Sequence, residues 1–123
     1  MIVLDTDVLI DILNDNQSTI EKIQSFDSKL AISSLTVMEL LYGALNEEEV
    51  KKLENFFTLF EIININEEIS KQSISLIKTY SRSHKLDTSN SLIASTALTL
   101  DIPLFTSKLE DFRFINGLIF QLA

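Results

Sequence analysis

The sequence predicts an α/β fold built on a mainly parallel sheet. Two observations carry that prediction. Short runs of Ile, Val and Leu, each closed by a polar residue, alternate with longer stretches whose apolar residues recur at helical spacing. Those short runs are continuous rather than alternating, the pattern of strands buried on both faces, so helices are expected to cover the sheet on both sides. With 123 residues, 46% of them apolar and only two glycine, the chain reads as one domain over 1–123 with a real core.

The elements follow in order. Ile2-Val3-Leu4 is a buried strand that stops at Asp5. Val8, Leu9, Ile12 and Leu13 fall at helical spacing, so a first helix runs from Asp7 to about Asn14. Asp15 to Ser18 breaks it, and Ser18-x-x-Glu21 has the capping-box pattern for a second, short helix through Phe26. Leu30-Ala31-Ile32 is the second strand. A helix follows from Leu35 to Leu45, with Val37, Leu40, Leu41 and Ala44 on one face; Gly43 inside it costs roughly 1 kcal/mol, which a close contact would explain. Asn46-x-x-Glu49 caps the next helix, which runs to about Leu59. Its acids Glu47 to Glu49 suit the positive end of the helix dipole, and Phe56, Phe57 and Phe60 read as core.

Glu61 to Ile65 is the third strand. Asn66 opens a long helix to about Ser83, with Ile69, Ser73, Leu76, Ile77 and Tyr80 inward. Asp87-Thr88-Ser89 offers caps for a helix to Leu100, with Leu92, Ile93, Thr96, Ala97 and Leu100 inward. Pro103 to Thr106 is a fourth strand, Lys108 to Phe112 one helical turn, and Leu118-Ile119-Phe120 a closing strand.

Composition excludes several functions. There is no cysteine, hence no disulfide, thiolate metal site or thiol nucleophile, and a single histidine rules out a histidine-rich zinc site. No apolar run approaches the ~20 residues of a spanning helix, and no signal-peptide pattern opens the chain, so a cytoplasmic protein without a membrane contact is expected. A net charge of −8 argues against a general nucleic-acid coat protein. It leaves room for a nuclease with a local basic surface. Ile69 to Leu86 contains no acid but holds Lys71, Lys78, Arg82, His84 and Lys85. This stretch is either a solvated face near a helix C-terminus or an edge that meets phosphate.

No glycine-rich phosphate loop and no Ser-His-Asp arrangement is legible. What remains is acids at strand ends. Asp5 follows the first strand, Glu39 lies one turn into the helix after the second, Asp87 and Asn90 stand at a helix start, and Asp111 follows the fourth strand. In an open α/β sheet, sites form beyond the carboxyl ends of the strands. Converging carboxylates repel, and the usual remedy is a hard divalent cation, Mg²⁺ or Mn²⁺, held by oxygens. Asp7 reads as a helix-start acid.

Four segments together resemble the PIN-domain family, and within it the VapC-type toxins of prokaryotic toxin–antitoxin pairs. They are Leu4-Asp5-Thr6-Asp7-Val8-Leu9-Ile10-Asp11, Ile32-Ser33-Ser34-Leu35-Thr36-Val37-Met38-Glu39-Leu40-Leu41-Tyr42-Gly43-Ala44, Asn90-Ser91-Leu92-Ile93-Ala94-Ser95-Thr96-Ala97, and Leu104-Phe105-Thr106-Ser107-Lys108-Leu109-Glu110-Asp111-Phe112. The resemblance implies a PIN-like three-layer fold and metal-dependent cleavage of RNA, often tRNA. It also implies silencing by a VapB-like antitoxin, and a homodimer. It makes Asp5, Glu39, Asn90 and Asp111 the catalytic, metal-holding set, with Thr6 and Thr106 in support; separately, the basic residues Lys78, Arg82, Lys85 and Lys108 are expected as RNA contacts. The chain departs from the family twice: Asn90 stands where an aspartate is usual, and Lys108 where Asn or Asp is common. Those departures support one alternative, a catalytically inactive relative that only binds its antitoxin. Asp5-Thr6-Asp7-Val8 also resembles the Asp-x-Asp of haloacid-dehalogenase-type phosphatases, although that fold would need more chain and a later acidic pair beside a strand.

Overall fold

The computed structural model describes residues 1–122. Its centre is a parallel sheet of β1 (Ile2–Leu4), β2 (Leu30–Ser33), β3 (Glu61–Ile63) and β4 (Leu104–Phe105), in the order β3-β2-β1-β4. The helices are α1 (Thr6–Leu13), α2 (Gln17–Ser25), α3 (Ser34–Tyr42), α4 (Glu47–Phe57), α5 (Glu67–His84) and α6 (Thr88–Leu100), with a 3-10 turn at Leu109–Asp111. Strand β1 is central, paired with β2 through Ile2–Leu30 and with β4 through Val3–Leu104. All strands point the same way, so the chain leaves β1, β2 and β4 on one edge of the sheet.

The pleat divides the core. Val3 and Leu104 face one layer, packed with Leu76, Ile93, Ala94, Ala97 and Phe112 from α5, α6 and the segment after β4. Ile2, Leu4, Ile32 and Phe105 face the other, with Val8, Leu9 and Phe57 from α1 and α4. Successive strand residues point to opposite faces, so three residues of β1 serve both layers. The phenylalanines in and just after α4 are core: Phe57 is buried, and Phe56 and Phe60, packed against its core cluster, meet edge to face at 5.1 Å.

The caps are mostly those expected. Asn46 accepts from the Glu49 N–H, Asn66 from the Ile69 N–H and Asp87 from the Asn90 N–H, at 2.8–2.9 Å. Several expectations need correction. Helix α2 is capped by Asn16, which accepts from the Thr19 N–H, and not by Ser18. Helix α3 ends at Tyr42, so Gly43 is its C-cap at a φ of −82° and pays no interior cost. A Cβ there would meet nothing closer than the Leu40 carbonyl at 3.6 Å, so no close approach demands glycine. Strand β3 stops at Ile63, because Ile65 N–H turns to donate to the Ser34 hydroxyl. Leu118 to Phe120 forms no strand; only Phe120 bridges to Leu104. Leu100 points outward, while Ser91, Ala94 and Ser95 are buried, because α6 is enclosed on nearly all sides.

Candidate active site

The site grows from the end of β1. Asp5 is the N-cap residue of α1, with extended backbone, yet its side chain caps nothing. Its N–H donates to the Phe105 carbonyl at 3.0 Å, extending the β1–β4 ladder by one residue. Its Oδ2 accepts from the Thr106 hydroxyl at 2.8 Å, and Thr106 Oγ1 in turn accepts from the Lys108 N–H at 3.0 Å. Asp5 is only 4% exposed. Burial therefore pushes its carboxyl up to about 6 and the neighbouring Asp7 adds to the effect, while bonds from Thr106 and the Thr6 backbone and the charge of Lys108 oppose it. A carboxylate in this position is short of positive charge.

Glu39 comes from the second turn of α3, on the surface. Its Oε1 accepts from the Thr6 hydroxyl at 2.9 Å and its Oε2 from the Ser89 hydroxyl at 3.2 Å. Thr6 Oγ1 lies 2.8 Å from the buried Thr36 Oγ1. Thr6 has one proton, and the carboxylate takes it; Thr36 is then the donor to Thr6. One glutamate is thus tied to α1 and α6, and the hydroxyl that holds it is itself held from the core.

These groups share one cleft of about 410 Å³, lined by Asp5, Thr6, Asp7, Glu39, Asp87, Asn90, Lys108 and Asp111. All four of the acid and amide positions expected from sequence, Asp5, Glu39, Asn90 and Asp111, are on its wall. Helices α1 and α6 both begin there, and their N-termini favour negative charge. Among the described residues, no three His, Asp or Glu side chains converge closely enough to hold a metal ion. The chemistry of the donors nevertheless fits a hard cation: all are oxygen, and one is a buried carboxylate lacking compensation. Lys108 supplies the local positive charge, its Nζ 2.9 Å from Asp7 Oδ2 in a half-exposed pair. Asp7 raises the Lys108 ammonium above its ordinary range.

Of the four basic residues expected near the site, only Lys108 lines the cleft. Lys78 and Lys85 are exposed. Arg82 folds back on its own helix, donating to the Lys78 carbonyl at 3.0 Å. Three participants were missed in the sequence. Thr36 lies three residues before Glu39 and so shares its helical face, a signal that was there to be read. Ser89 reads in the sequence only as a cap, yet its hydroxyl donates to Glu39. Asp7 lies in the first turn of α1, but its side chain turns to Lys108 across the cleft.

A family model described as the PIN domain matches residues 2–116. Ribonuclease VapC19 of Mycobacterium tuberculosis is 29% identical over 122 residues, 96% of this chain and 97% of that protein. Among solved structures, a toxin–antitoxin complex from Klebsiella pneumoniae aligns with a TM-score of 0.83 at 28% identity, covering 97% of this chain and 96% of that one. VapBC2 from Rickettsia felis, bound to a DNA fragment from its promoter, aligns with a TM-score of 0.83 at 26% identity and covers 98% of both chains.

Proposed function

The chain belongs to the PIN-domain family, and from that premise we propose that it is a VapC-type toxin: an endoribonuclease that hydrolyses RNA phosphodiesters and is silenced by a VapB-like antitoxin. The observation that carries the reading is the buried Asp5 carboxylate facing Glu39 in a cleft walled by two helix N-termini. PIN-domain nucleases generally use divalent cations; here Asp5, Glu39, Asp111 and the Asn90 carbonyl oxygen would hold Mg²⁺ or Mn²⁺. Such an ion, when bound, supplies an activated water and stabilises charge on the phosphate.

The chain's own residues do the rest. Thr106 fixes Asp5, while Thr6 and Ser89 fix Glu39. The Lys108 ammonium favours an incoming phosphate. Lys78 and Lys85 extend the positive edge. The family membership displaces the phosphatase alternative. The decisive measurement is cleavage of total small RNA with Mn²⁺ or with EDTA. Asp5→Asn should abolish it; undiminished cleavage in that variant, or in excess EDTA, overturns the reading.

The antitoxin is supported by a second feature. A groove lined by Ile10, Leu13, Leu40, Gly43, Ala44 and Leu53 adjoins the acidic cleft, sharing Ile10, Glu39 and Leu40 with it. An amphipathic antitoxin segment would lay its apolar face there and pass an Arg or Lys to Asp5 or Glu39. The protein would act in the cytoplasm as a homodimer. Light scattering that finds only monomers over a wide concentration range would remove the dimer. Asn90 together with the Lys108–Asp7 pair favours a second reading, an inactive relative that binds antitoxin and cleaves nothing. Antitoxin binding without RNA cleavage in Mn²⁺ would establish it.

A further inference from the structure

Helix α5 ends in an aromatic arrangement that the cleavage chemistry does not use. The His84 imidazole lies flat on Phe114, with centroids 4.3 Å apart and planes 12° from parallel. Tyr80, one turn earlier on the same helix, meets Phe114 edge-on at 5.2 Å and His84 at 5.9 Å. The set is anchored at both ends. Tyr80 Oη accepts from the Asn116 N–H at 3.1 Å, and the Ser83 hydroxyl sits 2.8 Å from His84 Nδ1. Phe114 is half-buried and His84 exposed. Phe114 stacks on one face of the imidazole, and the His84 side chain nevertheless stays exposed.

Its position relates it to the cleft. His84 lies three residues before Asp87, and Phe114 three residues after Asp111; both acids line the cleft. Three residues of extended chain span at most about 10 Å. The flanking residues are Lys85 and Arg113, both exposed, and no acid occurs between Ile69 and Leu86. An exposed aromatic ring among cations is what single-stranded nucleic acid binds, with bases stacking on the ring and phosphates meeting the charge.

We propose that the His84–Phe114 pair is a stacking platform for a nucleobase of single-stranded RNA, at a nucleotide flanking the one whose phosphate enters the cleft. The proposal rests on the ribonuclease reading above and adds a subsite to it. The platform is sequence-tolerant, since every base has a π-face, and it excludes a paired strand. Stacking is not ionic, which separates His84 from its neighbours. Each phosphate contact made by a lysine should contribute about −0.7 to the slope of log affinity against log salt, and stacking should contribute nothing.

The test is binding of a mixed-sequence, fluorescently labelled single-stranded oligoribonucleotide in EDTA, titrated across salt, with cleavage of the same RNA in Mn²⁺ followed in parallel. His84→Ala should weaken binding at least about fivefold with the salt slope unchanged, and His84→Phe should restore it. Lys85→Ala should instead flatten the slope. Double-stranded RNA should not distinguish His84→Ala from the parent. A His84→Ala protein that binds the single strand as tightly as a parent that still cleaves it overturns the platform and leaves the nuclease standing. A parent that neither binds nor cleaves RNA overturns both.

Discussion

At the scale of single residues, Asp5 is where burial of a carboxyl costs stability. Its carboxyl titrates near 6 in the folded protein against 3.8 in an unfolded chain. The folded state therefore binds the proton more tightly, and stability falls as pH rises through that window, with the full penalty present above it. At about 1.4 kcal/mol per tenfold change in proton affinity, burying the ionised group costs roughly 3 kcal/mol near neutrality. Asp5→Asn keeps an acceptor for Thr106 and carries no charge. In EDTA at pH 7 it should melt above the parent, and the difference should vanish by about pH 4 while activity stays absent. Equal melting temperatures across that range would mean Asp5 is already compensated. Lys108 gives the contrasting case. Its pair with Asp7 is half-exposed, so Lys108→Ala should leave the urea-unfolding midpoint essentially unchanged. The loss should fall on RNA affinity instead.

At the scale of elements, α6 shows what a strand-and-helix reading captures and what it leaves out. Ser95 Oγ is the one buried side-chain polar atom among the described residues without a hydrogen-bond partner. Ser95→Ala removes that orphan with little change in volume, so it should stabilise the protein by about 1 kcal/mol in urea unfolding. A destabilised Ser95→Ala would show that the hydroxyl is satisfied after all. The enclosure of α6 explains why its inward face was only half legible. A one-sided 3.6-residue pattern presumes a helix with a wet face, and a helix packed on nearly all sides has none, so buried Ser91, Ala94 and Ser95 escaped while Leu100 was wrongly turned inward. Caps with local chemistry, Asn46, Asn66 and Asp87, could be read directly. The failures sit at ends decided by tertiary contacts: β3, stopped by the Ser34 hydroxyl, and the C-terminal strand, reduced to one bridge. In the site, positions tied to strand ends were legible. Cross-element hydroxyl bonds from Ser89 and Thr36 were not, because those partners are 50 and 30 residues away from the groups they hold.

At the scale of the whole molecule, the proposed cation site would link the cleft to global stability. Asp5, Asp7, Glu39, Asp87 and Asp111 line it against Lys108 alone, within a chain of net charge −8. A ligand that binds only the folded state stabilises it by RT ln(1 + [L]/Kd), so Mn²⁺ should raise the melting temperature of the entire protein. Asn90 sets how much. It lies in the first turn of α6, where the helix dipole already favours a negative charge. An amide there offers a hard cation a carbonyl oxygen without the charge that strengthens its hold. Asn90→Asp keeps size and shape and adds a carboxylate beside acids that already repel. Without metal, its melting temperature should equal the parent's or lie below it. With Mn²⁺, its upward shift should exceed the parent's and its RNA cleavage should be faster. The two effects have opposite signs, so a variant merely better folded would not produce both. Calorimetry returning the same Mn²⁺ affinity for parent and Asn90→Asp would remove Asn90 from the cation-binding set, leaving Asp5, Glu39 and Asp111 to hold the ion without it.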